Sequence, residues 1–393
     1  MPSRKRLKVM SVFGTRPEAT KMVPLIKALQ KEEIVESKVL VTAQHREMLD
    51  QVLNYFHLKS DYDLDIMREN QTLSETTRRV LEHLTPVLQA ERPDIVLIHG
   101  DTATTGSAAL AAYYLKIPVG HVEAGLRTGD KYAPFPEEVM RKIADAISDV
   151  HFAPTSRSRD NLLKEGIPAD GIFVTGNTAV DTLLMTVKRD YSFMNPTLDR
   201  LDFGEKTNIV VEVHRRENFG EGMENIGLAL RAIAQRRPDV RLLVSVHKNP
   251  NAGEPIRRHL GDIPSAVLFE PLDYPDYVNL ISRSYLVVSD SGGIQEEAPS
   301  VGVPVVLCRE KTERPEALAA GTLALVGTDR QLIVDTVLDL LDNRTRYDAM
   351  SRASNPFGDG MASTRIVQAL LYRAGLASEP PQEFLGTVEN NPS

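Results

Sequence analysis

Short apolar runs rich in Val, Ile and Leu recur along the whole chain, and longer amphipathic segments separate them. Such runs are typical of parallel strands, because helices cover both faces of a parallel sheet. The segments between the runs predict helices, several of them opened by Thr, Ser or Asp. Alternation of strand and helix over two halves indicates an α/β fold with two doubly wound, Rossmann-like domains. The runs are residues 9–14, 39–43, 95–100, 118–124, 150–154, 172–176, 209–214, 242–247, 266–271, 285–290, 304–308 and 323–327.

The join between the two halves lies where this periodicity fades. After Gly176 a helical pattern gives way to a stretch without sustained periodicity, within residues 178–206. We therefore predict an N-terminal domain over 1–177 and a C-terminal domain over 178–363. The polar, proline-marked end of the chain predicts a mobile tail over 378–393.

Charge and composition restrict the class of partner. The 393 residues include 54 Asp and Glu against 46 Lys and Arg, and this net charge of −8 disfavours nucleic acid and anionic membranes as partners. The single cysteine, Cys308, excludes an internal disulfide framework and fits a reducing compartment. No apolar run approaches the ~20 residues of a membrane span. We therefore expect a cytoplasmic protein.

Polar residues follow many of the predicted strands, where open parallel sheets bind ligands. In the segment DSGGIQEE (290–297), Ser291, Gly292 and Gly293 lie between a strand and a helix, so backbone N–H groups and the helix dipole can hold a phosphate there. Glu297, about one turn into the helix, can accept both hydroxyls of a ribose or can simply complement the helix dipole. Other loop positions carry cationic groups that could neutralise a diphosphate: Arg16, His214, Arg215 and Arg314.

Motifs for other cofactors are absent from the sequence. It contains no G-x-G-x-x-G after a strand and no G-x-x-x-x-G-K-[ST], so neither a dinucleotide cofactor nor a P-loop is indicated. Asp61 and Asp63 have a D-x-D spacing that can hold a divalent metal, but a solvated acidic loop is the better interpretation. We assign no metal and no cofactor.

Three carboxylates lack an obvious structural duty: Asp101, Glu123 and Glu137. Each could cap a helix or complement its dipole. However, acids gathered where a diphosphate binds repel that ligand, so their presence favours a reaction. General acid/base catalysis is the chemistry that they predict.

Long sequence blocks extend this picture. They are GTRPEATKMVPL (14–25), TAQHREMLDQVL (42–53), HGDT (99–102), HVEAGLRT (121–128), PEEVMR (136–141), TGNTAVDTL (175–183), HRRENFG (214–220), VHKNPN (246–251), DSGGIQEEAPSVGVPVVLCREKTERPEA (290–317) and NPFGDGMAS (355–363). From about Val9 to Leu376 the chain resembles the non-hydrolysing UDP-N-acetylglucosamine 2-epimerases.

The resemblance implies a fold, a reaction and an assembly. The fold has the glycosyltransferase-B architecture, in which two Rossmann-like domains face a central cleft and a C-terminal helix, here about 364–377, joins the first domain. The reaction interconverts UDP-N-acetylglucosamine and UDP-N-acetylmannosamine by elimination and re-addition of UDP through 2-acetamidoglucal, without metal or redox cofactor. The assembly is a homodimer.

The resemblance also implies residue roles. The catalytic set is Asp101, Glu123, Glu137 and His214. The substrate-binding set includes the predicted phosphate seat, which is Ser291, Gly292 and Gly293. Its other members are Arg16, Lys21, Arg141, Tyr277, Glu297 and Arg314. A regulatory site for a second UDP-N-acetylglucosamine would use Gln44, Glu47, Arg215 and His247, with Asn70 standing where many members carry Arg.

Departures from the family pattern leave alternatives open. Met140 replaces a usual Asn, Glu212 and Val213 precede the HRREN block where Thr-Ala or Thr-Gly is common, and Val303 replaces a frequent Lys. The substrate could therefore be a related UDP-2,3-diacetamido sugar uronic acid. The fold alone also fits a glycosyltransferase, and a hydrolysing epimerase is a further alternative.

Overall fold

The computed structural model describes residues 6–43, 46–68, 71–132, 134–312 and 314–386. Contacts divide these residues into two compact units. Unit 1 runs to Thr182 and includes Phe357–Gly386, and unit 2 is Leu183–Pro356.

The described strands of unit 1 form one parallel sheet in the order β3-β2-β1-β4-β5-β6-β7. All five residues of β4 and all four of β5 and β6 are buried, as expected for strands covered on both faces. The strands are β1 (Leu7–Phe13), β2 (Val35–Val41), β3 (Tyr62–Asp63), β4 (Ile95–His99), β5 (Val119–Val122), β6 (Val150–Ala153) and β7 (Ile172–Val174).

Unit 2 repeats this design. Its described strands form a parallel sheet in the order β10-β9-β8-β11-β12-β13. They are β8 (Thr207–Glu212), β9 (Val240–Ser245), β10 (Ala266–Phe269), β11 (Leu286–Ser289), β12 (Val305–Leu307) and β13 (Leu323–Leu325).

Helices alternate with these strands, and several begin at side-chain caps. Thr15, Thr72 and Thr102 each close a capping box at the start of a helix. The helices are α1 (Arg16–Lys31), α2 (Arg46–Tyr55), α3 (Leu73–Glu91), α4 (Ala103–Tyr114), α5 (Glu137–Ile147), α6 (Ser156–Lys164), α7 (Thr178–Thr186), α8 (Pro196–Asp199), α9 (Glu221–Arg236), α10 (Pro250–Leu260), α11 (Tyr274–Ser282), α12 (Ile294–Ser300), α13 (Pro315–Ala319), α14 (Arg330–Asp342), α15 (Arg344–Ser351) and α16 (Ala362–Arg373). Within the described ranges, none of these helices has the length and apolar character that crossing a bilayer requires.

Strand order marks one place in each sheet for a ligand. The winding reverses between β1 and β4 in unit 1 and between β8 and β11 in unit 2. At such a switch point the following loops diverge and leave a crevice beyond the carboxyl ends of the strands. The predicted residues Arg16 and Asp101 follow β1 and β4, whereas His214 and Ser291 follow β8 and β11.

The predicted fold class, two doubly wound α/β sheets, is confirmed. Every predicted apolar run overlaps a strand, although β1, β2, β8 and β9 begin before the predicted run. The sequence pattern did not indicate β3, whose two residues lie half-buried or exposed at the edge of the sheet.

The end of the described chain belongs to unit 1. Helix α16 packs against α1, and Phe384 is buried and donates its N–H to the carbonyl of Val174 at 2.8 Å. Residues 387–393 of the predicted tail lie outside the described residues, and the mobility of the tail stays a prediction.

Candidate active site

A buried carboxylate organises the switch point of unit 1. Burial raises the pKa of Glu18, although hydrogen bonds from Thr102, Gly14 and Thr15 oppose the shift. The hydrogen bonds to the Glu18 carboxylate tie the loop after β1 to the start of α4. The donors are the N–H groups of Gly14 (3.0 Å) and Thr15 (2.8 Å) and the hydroxyls of Thr102 (2.7 Å) and Thr105 (3.1 Å).

The predicted ligand-binding Arg16 is the first residue of α1, beside this loop. It is half-buried. Among the described residues its guanidinium has no hydrogen-bond or ion-pair partner. A cation of this kind at a switch point can pair with an anionic ligand.

Asp101 is held in place by Arg141. The loop turns at Gly100 through a left-handed backbone (φ 67°), and Arg141 Nη2 then donates to Asp101 Oδ2 at 2.5 Å. Arg141 Nη1 donates to Glu138 at 3.0 Å. Glu138 also accepts the N–H groups of Thr128 and Gly129, so this buried acid has a structural duty.

Glu137 differs from its neighbour Glu138. It is the first residue of α5, and its Oε2 is buried without a hydrogen-bond partner among the described residues. Because an unpartnered buried oxygen is costly, the position favours a ligand group that can donate to it. The structure therefore separates two adjacent acids that the sequence alone leaves equivalent.

Glu123 lies just after β5 with a left-handed backbone (φ 67°), which is strained for a residue with a side chain. Its Oε2 accepts from Lys21 Nζ and, at 2.8 Å, from Asn177 Nδ2. Burial alone would raise the pKa of Glu123. The charge of Lys21 and the hydrogen bonds from Lys21 and Asn177 outweigh burial and bring this pKa well below its usual range.

In unit 2, a buried aspartate positions the HRREN segment. Asp290 accepts the N–H of His214 (2.9 Å), the N–H of Arg215 (2.9 Å) and Asn218 Nδ2 (2.9 Å). The His214 ring is 29% exposed and stacks on His247 with centroids 5.3 Å apart. Among the described residues, the buried Nε of Arg215 has no partner.

The predicted phosphate seat lies between β11 and α12. The N–H of Ser291 donates to Ser289 Oγ at 3.0 Å, so it is already engaged. In the described part of the chain, the N–H groups of Gly292 and Gly293 have no acceptor. Gly293 is exposed, and a Cβ added to it would meet only the Glu297 carboxylate, at 3.8 Å, so this glycine leaves space beside its N–H group for a ligand.

Glu296 and Glu297 follow this seat but differ in their partners. Glu296 is buried and accepts from Arg314 Nε. Arg314 is therefore engaged within unit 2. Glu297 is half-buried, and its charge contributes, after burial, to raising the pKa of Tyr274 well above its ordinary value.

Two departures from the family pattern have identifiable partners. Met140 Sδ lies only 2.8 Å from where a Cβ on Gly106 would be, so this methionine packs closely against α4. Glu212 accepts the phenol of Tyr277 at 2.7 Å, so the hydroxyl of this predicted substrate-binding residue is engaged.

Only part of the predicted regulatory set can be placed. Gln44 and Asn70 lie outside the described residues, and Glu47 is in α2. Arg215 and His247 lie beside His214, and His247 Nδ1 accepts the N–H of Asn249 at 3.1 Å. In the described ranges, no group of three or more His, Cys, Asp or Glu side chains has the geometry to hold a metal.

Sequence reasoning missed the supporting residues Glu18, Asn177 and Asp290. Each lies inside a block that carried the family resemblance, and that position was the available signal. They have partners that are distant in sequence: 84 residues separate Glu18 from Thr102, 54 separate Asn177 from Glu123, and 76 separate Asp290 from His214. Local spacing therefore could not reveal their roles.

Comparisons with known proteins agree with this geometry. The family model for UDP-N-acetylglucosamine 2-epimerase matches residues 27–371. The UDP-N-acetylglucosamine 2-epimerase of Bacillus subtilis is 53% identical, over 97% of this chain and all of the relative.

Solved structures extend the comparison. The Neisseria meningitidis UDP-GlcNAc 2-epimerase bound to UDP-GlcNAc is 48% identical, with a TM-score of 0.83 over 93% of this chain and all of that one. Acinetobacter baumannii MurG, 17% identical with a TM-score of 0.58 over 93% of this chain and 99% of that one, shares the glycosyltransferase-B fold. The chain belongs to the UDP-N-acetylglucosamine 2-epimerase family.

Proposed function

We propose that this chain reversibly epimerises C2 of UDP-N-acetylglucosamine, with unit 2 binding the UDP portion and unit 1 transferring the protons. The observation that carries this proposal is the set of three carboxylates that unit 1 places after β4, after β5 and at the start of α5. Lys21 holds Glu123, Arg141 holds Asp101, and a Glu137 oxygen lies buried without a partner among the described residues. A phosphate-binding protein without acid/base chemistry would have no use for these acids.

The reaction needs a way to release the C2 proton, because C2 is not adjacent to a carbonyl group. Breaking the bond between C1 and the UDP oxygen provides one. The C2–H electron pair becomes the C1=C2 double bond of 2-acetamidoglucal, UDP leaves with the electrons of the C1–O bond, and a carboxylate takes the proton. Protonation of C2 on the opposite face, with return of UDP to C1, gives the epimer and balances the reaction.

The three acids of unit 1 have different environments, which suggests different duties. The depressed pKa of Glu123 keeps it ionised, so it suits stabilising the positive charge that develops at C1 as UDP departs. Asp101 and Glu137 are then the groups that exchange protons with the two faces of C2. Arg141 orients Asp101, and Lys21 orients Glu123.

The groups of unit 2 suit the leaving diphosphate. The N–H groups of Gly292 and Gly293 can donate to phosphate oxygens, and His214 and Arg215 add donors beside them. Glu297 is assigned to the ribose hydroxyls. Tyr277 and Arg314 act through Glu212 and Glu296, their partners within the unit.

Three further predictions accompany this function. A homodimer follows from the resemblance and can be checked by light scattering of the purified protein. Because Asn70 stands where many family members carry Arg, the site for a second UDP-N-acetylglucosamine beside Arg215 and His247 should be weakened. The reaction from UDP-N-acetylmannosamine should therefore proceed without strict need for added UDP-N-acetylglucosamine, which initial rates with UDP-N-acetylmannosamine alone can check. A cytoplasmic location can be checked by cell fractionation.

The test of the proposal is incubation with UDP-N-acetylglucosamine and no acceptor, followed by NMR of the products. We expect a mixture of two UDP-sugars epimeric at C2. Release of free N-acetylmannosamine and UDP would indicate a hydrolysing epimerase, and no conversion without an acceptor would indicate a glycosyltransferase. If only a UDP-2,3-diacetamido sugar uronic acid is epimerised, the proposed substrate is wrong but the proposed reaction is right.

A further inference from the structure

A buried histidine links two segments of the unit 1 site. His121 lies on β5 and is fully buried. Its Nε2 is 2.8 Å from the carbonyl oxygen of Gly100, the residue before Asp101, and its Nδ1 is 2.6 Å from Asp145 Oδ1 on α5.

Both partners of His121 are acceptors. A carbonyl oxygen can only accept a hydrogen bond. Asp145 Oδ2 already accepts Arg127 Nη2 at 2.7 Å and the N–H of Gly125 at 3.2 Å, which favours the ionised carboxylate. A neutral imidazole has one N–H, so one of its two contacts would set opposing lone pairs less than 3 Å apart. Two N–H groups on His121 satisfy both contacts.

The titratable surroundings of His121 agree with this assignment. Burial alone would raise the pKa of Asp145, but His121 and Arg127 lower it to about 2, so Asp145 carries the compensating negative charge. His99 on β4 and His151 on β6, the two neighbouring strands, interact electrostatically with His121. Burial lowers the pKa of both, that of His99 to about 3, so they remain neutral and do not compete for this charge.

The position of Asp145 on α5 connects this pair to catalysis. Glu137, Arg141 and Asp145 follow one another at intervals of four residues and so share one face of the helix. Arg141 binds Asp101, and Asp145 binds the histidine that holds Gly100. The loop after β4 is therefore attached at two adjacent residues, Gly100 and Asp101, to the α5 face that begins with Glu137.

We propose that His121 is a buried imidazolium and the positioning residue that fixes Asp101 relative to Glu137. It touches no reacting atom. Its two N–H bonds hold the backbone of Gly100 and the carboxylate of Asp145, which sets the distance between two proton-transferring acids. The positioning role rests on the proposed function, whereas the protonation state does not.

The chain supplies a matched control in His151. This histidine pairs in register with His121 on the neighbouring strand and is equally buried. Its Nε2 is 2.8 Å from the carbonyl oxygen of Asp145, while its Nδ1 has no partner among the described residues. It therefore requires one N–H and is expected to be neutral.

The first experiment is ¹H–¹⁵N NMR of the unmodified protein labelled with ¹⁵N-histidine, between pH 6.5 and 8.5. The His121 and His151 signals are assigned by their loss in His121→Gln and His151→Gln. We expect two protonated ring nitrogens for His121 and one for His151 across this range. A neutral tautomer at His121 would overturn the proposal, whatever the enzyme's activity.

The second experiment is a double-mutant cycle. His121→Gln and Asp145→Asn should each lower kcat by ~10- to 100-fold with KM changed by less than ~3-fold, and the double variant should be no worse than the worse single variant, because both break one attachment. His151→Gln should keep its kcat. Additive losses, or an equal loss in His151→Gln, would show general destabilisation and reject the positioning role. If the unmodified protein does not epimerise UDP-N-acetylglucosamine, that result would instead contradict the proposed function.

Discussion

The two units have closely similar strand orders, but different groups lie at their switch points: acidic side chains in unit 1 and backbone N–H donors in unit 2. In unit 1, acidic side chains reach the site and cations hold them, as Lys21 holds Glu123 and Arg141 holds Asp101. In unit 2, the central carboxylate of Asp290 is fully occupied by backbone and amide donors, and glycine N–H groups remain.

This difference shows that topology fixes where chemistry occurs and that loop residues decide which chemistry it is. Glu123 keeps a negative charge at the unit 1 site, which suits stabilising a carbocation-like carbon. The unit 2 loop offers positive dipole ends, which suit a diphosphate. Damage to one unit should therefore affect turnover and damage to the other should affect nucleotide affinity.

The largest effect is expected from Glu123→Gln. Removing this charge should lower kcat by about 10²- to 10⁴-fold, while the Kd of UDP, measured by calorimetry, changes by less than ~2-fold. Glu82→Gln is the control, because Glu82 is an exposed carboxylate of unit 1 that is paired, among the described residues, only with Arg78. A large loss of UDP affinity in Glu123→Gln would break the division of labour between the units.

The next effect concerns acid stability. The lowered pKa of Asp145, about 2, means that its ionisation stabilises the fold above pH ~4 and that this contribution is lost as the pH falls from ~4 toward 2. The full contribution is about 2 kcal/mol, of which roughly 0.6 kcal/mol is lost by pH 3.5. Urea unfolding at pH 7 and pH 3.5 should show a smaller pH dependence in Asp145→Asn than in the unmodified protein. Parallel losses in the two proteins would contradict it.

A smaller effect is expected at the phosphate seat. Gly293 has an ordinary helical backbone (φ −62°), and an added Cβ would make only an ordinary van der Waals contact with Glu297 at 3.8 Å, so Gly293→Ala should fold normally. The added methyl group would crowd the N–H donors and should weaken UDP binding ~10-fold. Unchanged melting temperature with unchanged UDP affinity would place the diphosphate elsewhere.

The smallest effect is expected from Ser291→Ala. The N–H of Ser291 is already bound to Ser289, so only a hydroxyl contact with the ligand is lost. UDP affinity should fall by ~3-fold, about the value of one neutral hydrogen bond. A loss greater than that of Gly293→Ala would reverse the assignment of the seat to backbone groups.

The sequence revealed the fold because buried parallel strands leave a continuous apolar signal. The segment IVLIH became β4 with every residue buried. The two-residue β3 left no such signal. Helix α13, which begins directly after Arg314 and has only five residues, was likewise too short for periodicity to indicate it.

The site was predictable as far as single residues, but not as pairs. Asp101, Glu123 and Ser291 follow strands, so their placement at the sheet ends could be predicted. That Glu138 holds a loop while Glu137 does not depends on contacts with Thr128 and Gly129 that helix periodicity cannot show. The partner of Arg314 was equally inaccessible, because 18 residues separate it from Glu296.

The measurement closest to the central claim is the fate of the C2 hydrogen when UDP-N-acetylglucosamine is epimerised in D₂O. Proton transfer through exchangeable carboxyl groups of unit 1 predicts that the UDP-N-acetylmannosamine formed carries deuterium at C2, seen by NMR as loss of the C2 proton signal. Epimer formed with its C2 proton fully retained would contradict the account.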